Sequence, residues 1–293
     1  MERILVIGCS GLLGSRLMAL GENRYKVFGT YNMHEVKAEN AHRLDVLDRA
    51  NVSKLVNRIK PDCVFDTHAI TNVDYCETHQ EEAWKSNVEG SRNIAEACKS
   101  EGCKYVLMST DYVFDGTKLK YTEKDKPHPL NYYAKTKLIA EYMLAALDIN
   151  YIVARSAVLY GNGGAGKVSF PIWLINELKA KKKVRIVSDQ HNNPTYSDSL
   201  VEFLFRLCDK DETGIFHIAG KECVSRLEFA KDIAHVFGLD TSLISQITSS
   251  ELNQVAIRPN NLNLSTEKAE RVSGLKALTV NEGLSLFKKQ LEG

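Results

Sequence analysis

"RILVIGCSGLLGSRL", Arg3 to Leu17, decides the fold: an apolar run of strand length breaks into glycines at Gly8, Gly11 and Gly14, then resumes with helical spacing. Strand, tight turn and helix succeed one another within fifteen residues. Glycines in this arrangement let the chain reverse sharply, let backbone N–H groups approach an anion, and let the helix pack closely on the strand it has just left. A lone triplet is a weak signal, so its weight depends on the rest of the chain.

The rest of the chain repeats the same unit. "YKVFGTY" and "AHRLDV" read as strands, the latter leading into a helix to Ile59, and "DCVFDTHA" precedes a helix from about Glu81 to Ser100. "KYVLMST", a helix through Tyr133, "YIVARSAVLYG", a helix over Phe170 to Ala180 and "KVRIVS" continue the alternation. Parallel strands joined by right-handed helical crossovers give an α/β fold, a doubly wound sheet with its binding crevice at the carboxyl ends of the strands. At the first strand of such a chain the glycine turn reads as a dinucleotide site, the pyrophosphate lying at the positive end of the helix. After Tyr160 the rhythm changes: a glycine-rich "YGNGGAGK", an isolated "GIFHIAG", and helical segments near Arg226 to Phe237 and Asn281 to Leu291. The expected division is a dinucleotide-binding domain over 1–160 and a mainly substrate-binding region over 161–293, partly interleaved with it.

Composition narrows the function classes. A hydrophobic content of 44% is that of a chain with a core, and 38 basic against 37 acidic residues give a net charge of +1. Neither a nucleic-acid nor a membrane partner is expected. The basic "KAKKKVRIV" ends a helix and enters a strand, where lysines serve the helix carboxyl end and solvent. Seven scattered cysteines without a Cys-x-x-Cys spacing read as reduced, mostly buried thiols, and no metal site is expected. The amino terminus lacks a signal-peptide layout and no apolar run approaches about 18 residues, so the cytoplasm is the expected location.

Two features address the cofactor. The second strand ends "FGTYNMHE" with Thr30 and no acid at its tip; an acid there would bind a ribose 2′-hydroxyl and repel a 2′-phosphate. NADP(H) is therefore expected in preference to NAD(H). Asp45, in "RLDVLD", reads equally as an acceptor for an adenine amino group or as the cap of the following helix.

Chemistry is suggested by "PLNYYAKTKLIAEYML", Pro129 to Leu144. Four residues apart on a helix, Tyr133 and Lys137 share a face, whereas Tyr132 is rotated by about 100°. "KYVLMST" brings Ser109 and Thr110 to the carboxyl edge of the sheet just before that helix. A ketone accepting hydride develops charge on oxygen; a tyrosine whose pKa is lowered by a neighbouring ammonium can protonate it, and a threonine hydroxyl can polarise it.

With these motifs in order, the chain resembles the extended short-chain dehydrogenase/reductase superfamily and, within it, the dTDP-4-dehydrorhamnose reductase family. "GCSGLLG", "TNVDYCE", "NVEGSRNIAEAC", "STDYVFDG", "PLNYYAKTKLIAE", "DQHNNPTYSDSLVE" and "RPNNLNLSTEKAE" carry the resemblance over nearly the whole chain. It implies a Rossmann-type fold, an NAD(P)H-dependent oxidoreductase and a nucleotide-sugar substrate, and leaves a homodimer open, since the sequence does not give the oligomeric state. It implies Thr110 as carbonyl polariser, Tyr133 as proton donor, and Lys137 as the residue tuning Tyr133 and holding the nicotinamide ribose. It further implies Gly8, Ser10, Gly11, Leu12, Leu13 and Gly14 at the pyrophosphate, Asp45 and Val46 at the adenine, and Asn87 near the cofactor. Pro194, Thr195 and Arg258 fall in the sugar-nucleotide pocket, where a guanidinium can grip a diphosphate with two hydrogen bonds.

The chain also departs from the family. Asn-Ala-Ala is common where it has "DTHA", which puts His68 and Ala69 on the expected cofactor path; His68 is read as a packed or cofactor-facing imidazole. Rhamnose-forming reductases place a tryptophan in the segment aligned with "RSAVLYG", where this chain has Val158. The "LYG" ending is similar to the regulatory beta subunit of methionine adenosyltransferase, so a non-catalytic, NADP-binding regulatory subunit is the alternative reading.

Overall fold

Strand β1, Arg3–Ile7, buries its last four residues, and because successive side chains of a strand point to opposite faces it belongs to two cores at once. Ile4 and Val6 pack with Leu17, Phe65, Phe205 and Phe216 on one face; Leu5 and Ile7 pack with Val52, Leu55, Ile94 and Leu144 on the other. The structure is a computed structural model describing residues 1–165, 168–252 and 254–292, so Gly166 and Lys167 of the glycine-rich stretch lie outside the described residues.

From β1 the chain passes through α1 (Leu12–Gly21), β2 (Lys26–Tyr31), β3 (Ala41–Arg43), α2 (Arg49–Ile59) and β4 (Cys63–Asp66). Two short helices, α3 (Val73–Thr78) and α4 (Gln80–Trp84), lead through a π-helical turn, Lys85–Gly90, into α5 (Ser91–Glu101) and β5 (Lys104–Thr110). Then come α6 (Tyr132–Leu147), β6 (Tyr151–Ser156), β7 (Leu159–Tyr160), α7 (Phe170–Lys179), β8 (Val184–Val187), β9 (His191–Asn192) and β10 (Thr195–Tyr196). The chain closes with α8 (Ser197–Asp209), β11 (Gly214–His217), β12 (Val224–Ser225), α9 (Arg226–Val236), β13 (Ile244–Ile247), β14 (Asn261–Leu262), α10 (Glu267–Ser273) and α11 (Val280–Glu292).

The main sheet is seven-stranded, in the order β11-β6-β5-β4-β1-β2-β3, and every pairing in it is parallel. The order reverses at β1, which lies between β2 and β4. The doubly wound sheet expected from the sequence is thus the architecture found, with its crevice above β1 and β4. "GIFHIAG" is not isolated: its residues Gly214–His217 form the edge strand beside β6. The amphipathic α8 buries Leu200, Val201, Leu204, Phe205 and Leu207 beside α1. A third core joins α7, α9 and α11 around Leu174, Tyr160, Phe229 and Phe287.

The β1–α1 turn is held from several sides. Thr30 O accepts from Gly8 N (3.1 Å) and Cys9 N (2.7 Å), and Ser10 O accepts from Ala165 N (2.8 Å). A Cβ at position 14 would lie 2.8 Å from Cys9 Cα and closer still to Gly8 O, whereas one at position 11 would meet nothing nearer than Gly8 O at 3.4 Å. Gly14→Ala is therefore expected to lose about 1–3 kcal/mol by forcing backbone apart, and Gly11→Ala to stay within about 0.5 kcal/mol of the parent. Urea midpoints of the two variants check this; equal midpoints would show that the helix does not depend on the close approach.

Candidate active site

Asn131, fully buried, caps α6 by accepting from Ala134 N at 2.9 Å, which makes Tyr132 and Tyr133 the first two helical residues. Lys137, one turn beyond Tyr133, is 2% exposed, so this stripe faces the sheet as the helical register requires. Thr110 ends β5 at 6% exposure beside Tyr133. The structure brings the three together at the carboxyl edge of the sheet.

Their electrostatics differ from expectation in one respect. The sequence reading expects Lys137 to make Tyr133 a stronger acid. Instead burial, and after it the Asp111 carboxylate, push the Tyr133 hydroxyl above its ordinary value, with Thr110 pulling the other way. Burial in turn lowers Lys137, against the attraction of Asp66 and Glu141. The difference has a simple cause: Lys137 is buried and Tyr133 half-buried, and the charge acting on Tyr133 is the acid beside Thr110. Asp111, 3% exposed, is itself raised by burial to about 7. Thr110 Oγ1 donates to Asp111 Oδ1 at 3.0 Å and accepts from Tyr112 N at 3.1 Å, while Asp111 Oδ2 has no partner among the described residues.

At the cofactor end, Gly11 precedes α1 without a capping hydrogen bond, and no acid occupies the first helical turn. Helix N–H groups there are left for an anion. Thr30 is buried under this turn. Asp45 does not cap α2; Asp48 does, accepting from Asn51 N at 3.0 Å, and the exposed Asp45 makes a local turn to Leu47 N at 2.9 Å. Val46 and His68 meet at Gly90, where a Cβ would lie 2.6 Å from Val46 Cγ2 and 3.0 Å from His68 Nε2. Asn87, fully buried in the π-helical turn, accepts from Ile70 N (2.8 Å) and donates to Ile70 O (3.1 Å) and Thr136 Oγ1 (3.1 Å), tying the segment after Ala69 to α6.

His68 faces acceptors with both ring nitrogens: Nδ1 the Asp66 carboxylate, Nε2 the Ser86 carbonyl at 3.0 Å. With Asp66 ionised, both nitrogens have to carry protons for both bonds to form, so this arrangement favours the imidazolium. Burial opposes that charge, but Asp66 outweighs it and raises the His68 pKa; burial likewise opposes the Asp66 charge, but His68 keeps the carboxylate low. Tyr105 OH and Ser91 Oγ also donate to Asp66.

A cavity of about 530 Å³ is lined by Asn72, Asp74, Tyr112, Phe170, Arg226 and Arg258 among others. Arg258 is in it, but already committed: Nη1 and Nη2 donate to Asp74 at 2.6 and 2.9 Å. Pro194 and Thr195 are not in it. They line a separate small pocket near Tyr160 and Gly220, where Thr195 Oγ1 donates to Asn193 O at 3.0 Å, so their immediate work is packing. Thr195 N also donates to the carbonyl of Val158 at 3.1 Å. Val158 has φ +37°, a conformation unusual for a β-branched residue. The sequence reading missed two residues. Arg226, the first residue of α9, had no motif to mark it. Arg43, exposed and without an ion-pair partner among the described residues, is brought beside Tyr31 by the β2–β3 register. All seven cysteines are free thiols, six of them buried. Among the described residues no helix is long and apolar enough to cross a membrane.

Residues 1–292 match the family described as RmlD substrate binding domain. A probable low-salt glycan biosynthesis reductase of Haloferax volcanii is 30% identical over 285 residues, 96% of this chain and 95% of that protein. A dTDP-4-dehydrorhamnose reductase of Aggregatibacter actinomycetemcomitans is 31% identical, covering 94% and 95%. The methionine adenosyltransferase 2 subunit beta of Rattus norvegicus is 30% identical, covering 92% and 82%. The crystal structure of the Bacillus anthracis dTDP-4-dehydrorhamnose reductase in complex with NADP superimposes with a TM-score of 0.89 at 28% identity over 99% of both chains.

The Asp66–His68 pair has a pH signature. Its His68 part is complete below the ordinary value of 6.5 and is lost as pH rises through the raised folded value; its Asp66 part is complete above 3.8 and is lost as pH falls through the lowered one. The stability gap between the parent and His68→Asn is thus expected to be widest between those two values and to narrow as pH rises through the raised His68 value. Urea midpoints measured across that range test it, and a constant gap would mean the imidazole is neutral.

Proposed function

The chain belongs to the RmlD substrate binding domain family and is an NAD(P)H-dependent oxidoreductase, and on that basis we propose that it reduces the 4-keto group of a nucleotide-linked 6-deoxy sugar, converting dTDP-4-dehydro-L-rhamnose to dTDP-L-rhamnose. One observation supports the reading: Thr110, Tyr133 and Lys137 lie together at the carboxyl edge of the sheet, and the Tyr133 ring centre is 6.4 Å from that of Tyr112, which lines the main cavity.

The bound nicotinamide supplies the hydride. Gly8, Ser10, Gly11, Leu12, Leu13 and Gly14 would hold its pyrophosphate at the uncapped start of α1. Asp45 and Val46 would lie toward the adenine, and His68, Ala69, Asn87 and Lys137 toward the nicotinamide side. Tyr133 keeps its proton throughout the neutral range, since burial raises its pKa, and so remains available as the donor to the developing alkoxide. Lys137 would offer its ammonium to the same oxygen system. Thr110 polarises the carbonyl only by turning its single proton away from Asp111, and with a carboxyl pKa of about 7 Asp111 can hold a proton of its own when it does so.

A second reading, a regulatory subunit that binds the cofactor without turnover, is favoured by the 30% identity with the rat methionine adenosyltransferase subunit. NADPH and NADH oxidation with a panel of dTDP-, UDP- and GDP-linked 4-keto-6-deoxy sugars separates the two. Cofactor binding with no turnover of any sugar would replace the reductase reading with the regulatory one.

Two substitutions sharpen the proposal. Tyr133→Phe is expected to lower kcat by about 10²- to 10⁴-fold with little change in cofactor affinity, while Tyr132→Phe leaves kcat nearly intact. A larger loss from Tyr132→Phe in steady-state kinetics would put the register one residue out. Arg43→Ala is expected to weaken NADPH by roughly tenfold, the value of one charge-assisted contact to a 2′-phosphate, and to leave NADH unchanged. Equal effects on both cofactors in fluorescence titrations would remove Arg43 from 2′-phosphate recognition.

A further inference from the structure

Arg226 is placed where a cation is least welcome. As the first residue of α9 it adds positive charge to the positive end of a helix, where the capping box of Ser225 and Glu228 has already used the nearby carboxylate. Its guanidinium has no hydrogen-bond or ion-pair partner among the described residues, and Cζ lies 4.8 Å from the centre of the Phe170 ring. Burial disfavours its charge most, Arg258 repels it, and the groups that favour it are Tyr112 and Asp111, the latter with its own charge disfavoured by burial. Every other arginine on the cavity wall is neutralised: Arg258 by Asp74 at 2.6 Å, Arg185 by Glu251 at 3.0 Å. Stacking on Phe170 offsets part of the cost but satisfies none of the five N–H donors.

We propose that Arg226 is the anion anchor of the main cavity, gripping a phosphate of the nucleoside diphosphate part of the substrate, and that Arg258 is a positioning residue that fixes the wall through Asp74. This rests on the nucleotide-sugar reading and assigns its binding energy to a particular side chain. A guanidinium suits the task because its planar fork meets a phosphate with two parallel hydrogen bonds. Its stacked, partly buried setting strengthens those bonds over their value in water.

The experiment compares the parent, Arg226→Gln and Arg226→Lys by calorimetric titration with dTDP, UDP and thymidine, alongside NADPH. Arg226→Gln is expected to weaken both diphosphates by about 10- to 100-fold and to leave thymidine and NADPH unchanged, with Arg226→Lys recovering part of the loss. On a competent keto-sugar the same variant raises KM and spares kcat, as expected for binding that does not change along the reaction. Arg226→Gln is also expected to melt at the same temperature as the parent or higher, because an uncompensated cation has been removed. Unchanged dTDP affinity in Arg226→Gln overturns the proposal. A lowered melting temperature with unchanged affinity overturns it in favour of a structural stack. If the parent turns over keto-sugars while Arg226→Gln behaves identically, the anchor fails and the reductase stands; if the parent binds no nucleoside diphosphate, both fail.

Discussion

The carbonyl of Gly8 is the point on which the molecule turns. It accepts from Gly11 N at 3.0 Å and from Thr67 Oγ1 at 3.3 Å, and it leaves no room for a Cβ at position 14. That contact sets how steeply α1 leaves β1, and so fixes both the packing of Leu17 under the sheet and the aim of the first helical N–H groups above it. Gly164, at φ +76°, closes on the same place from the carboxyl-terminal half, where a Cβ would lie 2.7 Å from the Gly11 carbonyl carbon. Gly14 and Gly164, far apart in sequence, can therefore both close on the Gly8–Gly11 backbone only because neither carries a side chain.

Buried charge is treated differently on the two sides of this turn. Within the sheet it is paired: Arg155 and Glu141, each 2% exposed, share bonds at 2.6 to 3.2 Å, and the partly screened Lys104 donates to Asp211 at 2.6 Å. Such pairs add little net stability but are costly to break, so they enforce one arrangement. In the crevice the pairing is incomplete, with Asp111 Oδ2 and Arg226 lacking partners and Lys137 donating no hydrogen bond among the described residues. Folding alone gives no reason for that pattern, whereas binding does, because groups that are to meet a ligand cannot already be satisfied by the protein.

The sequence made the sheet legible because its strands are apolar, short and separated by turn residues, and because glycine spacing at Gly8, Gly11 and Gly14 has a steric meaning of its own. The chemical stripe was legible too, since Tyr133 and Lys137 are related by local periodicity. What escaped was whatever depended on distant chain meeting in space. Arg43 neighbours Tyr31 only through strand register, Arg226 faces the cavity only once α9 packs against α7, and the pairing of Arg258 with Asp74 joins positions 184 residues apart. Pro194 and Thr195, assigned to the sugar-nucleotide pocket by resemblance, line a separate small pocket, where Thr195 N donates to the Val158 carbonyl and Thr195 Oγ1 accepts from Gly220 N at 3.3 Å. The π-helical turn at Lys85–Gly90 likewise has no signature in the periodicity, though it is what presents Asn87 to Ile70 and Thr136.

The start of α6 shows how catalysis and recognition are mechanically joined. Asn131 both caps the helix and donates through Nδ2 to the carbonyl of Ile257 at 2.9 Å, immediately before Arg258. Tyr132 N donates to Glu77 of α3 at 2.9 Å, and the same short helix carries Asp74, which holds Arg258. A displacement of the cavity wall is thus a displacement of the first turn of α6, where Tyr133 sits. The proton donor proposed at Tyr133 is thereby tied by hydrogen bonds to the wall proposed to hold the substrate, and proton transfer depends on positioning at the level of fractions of an ångström.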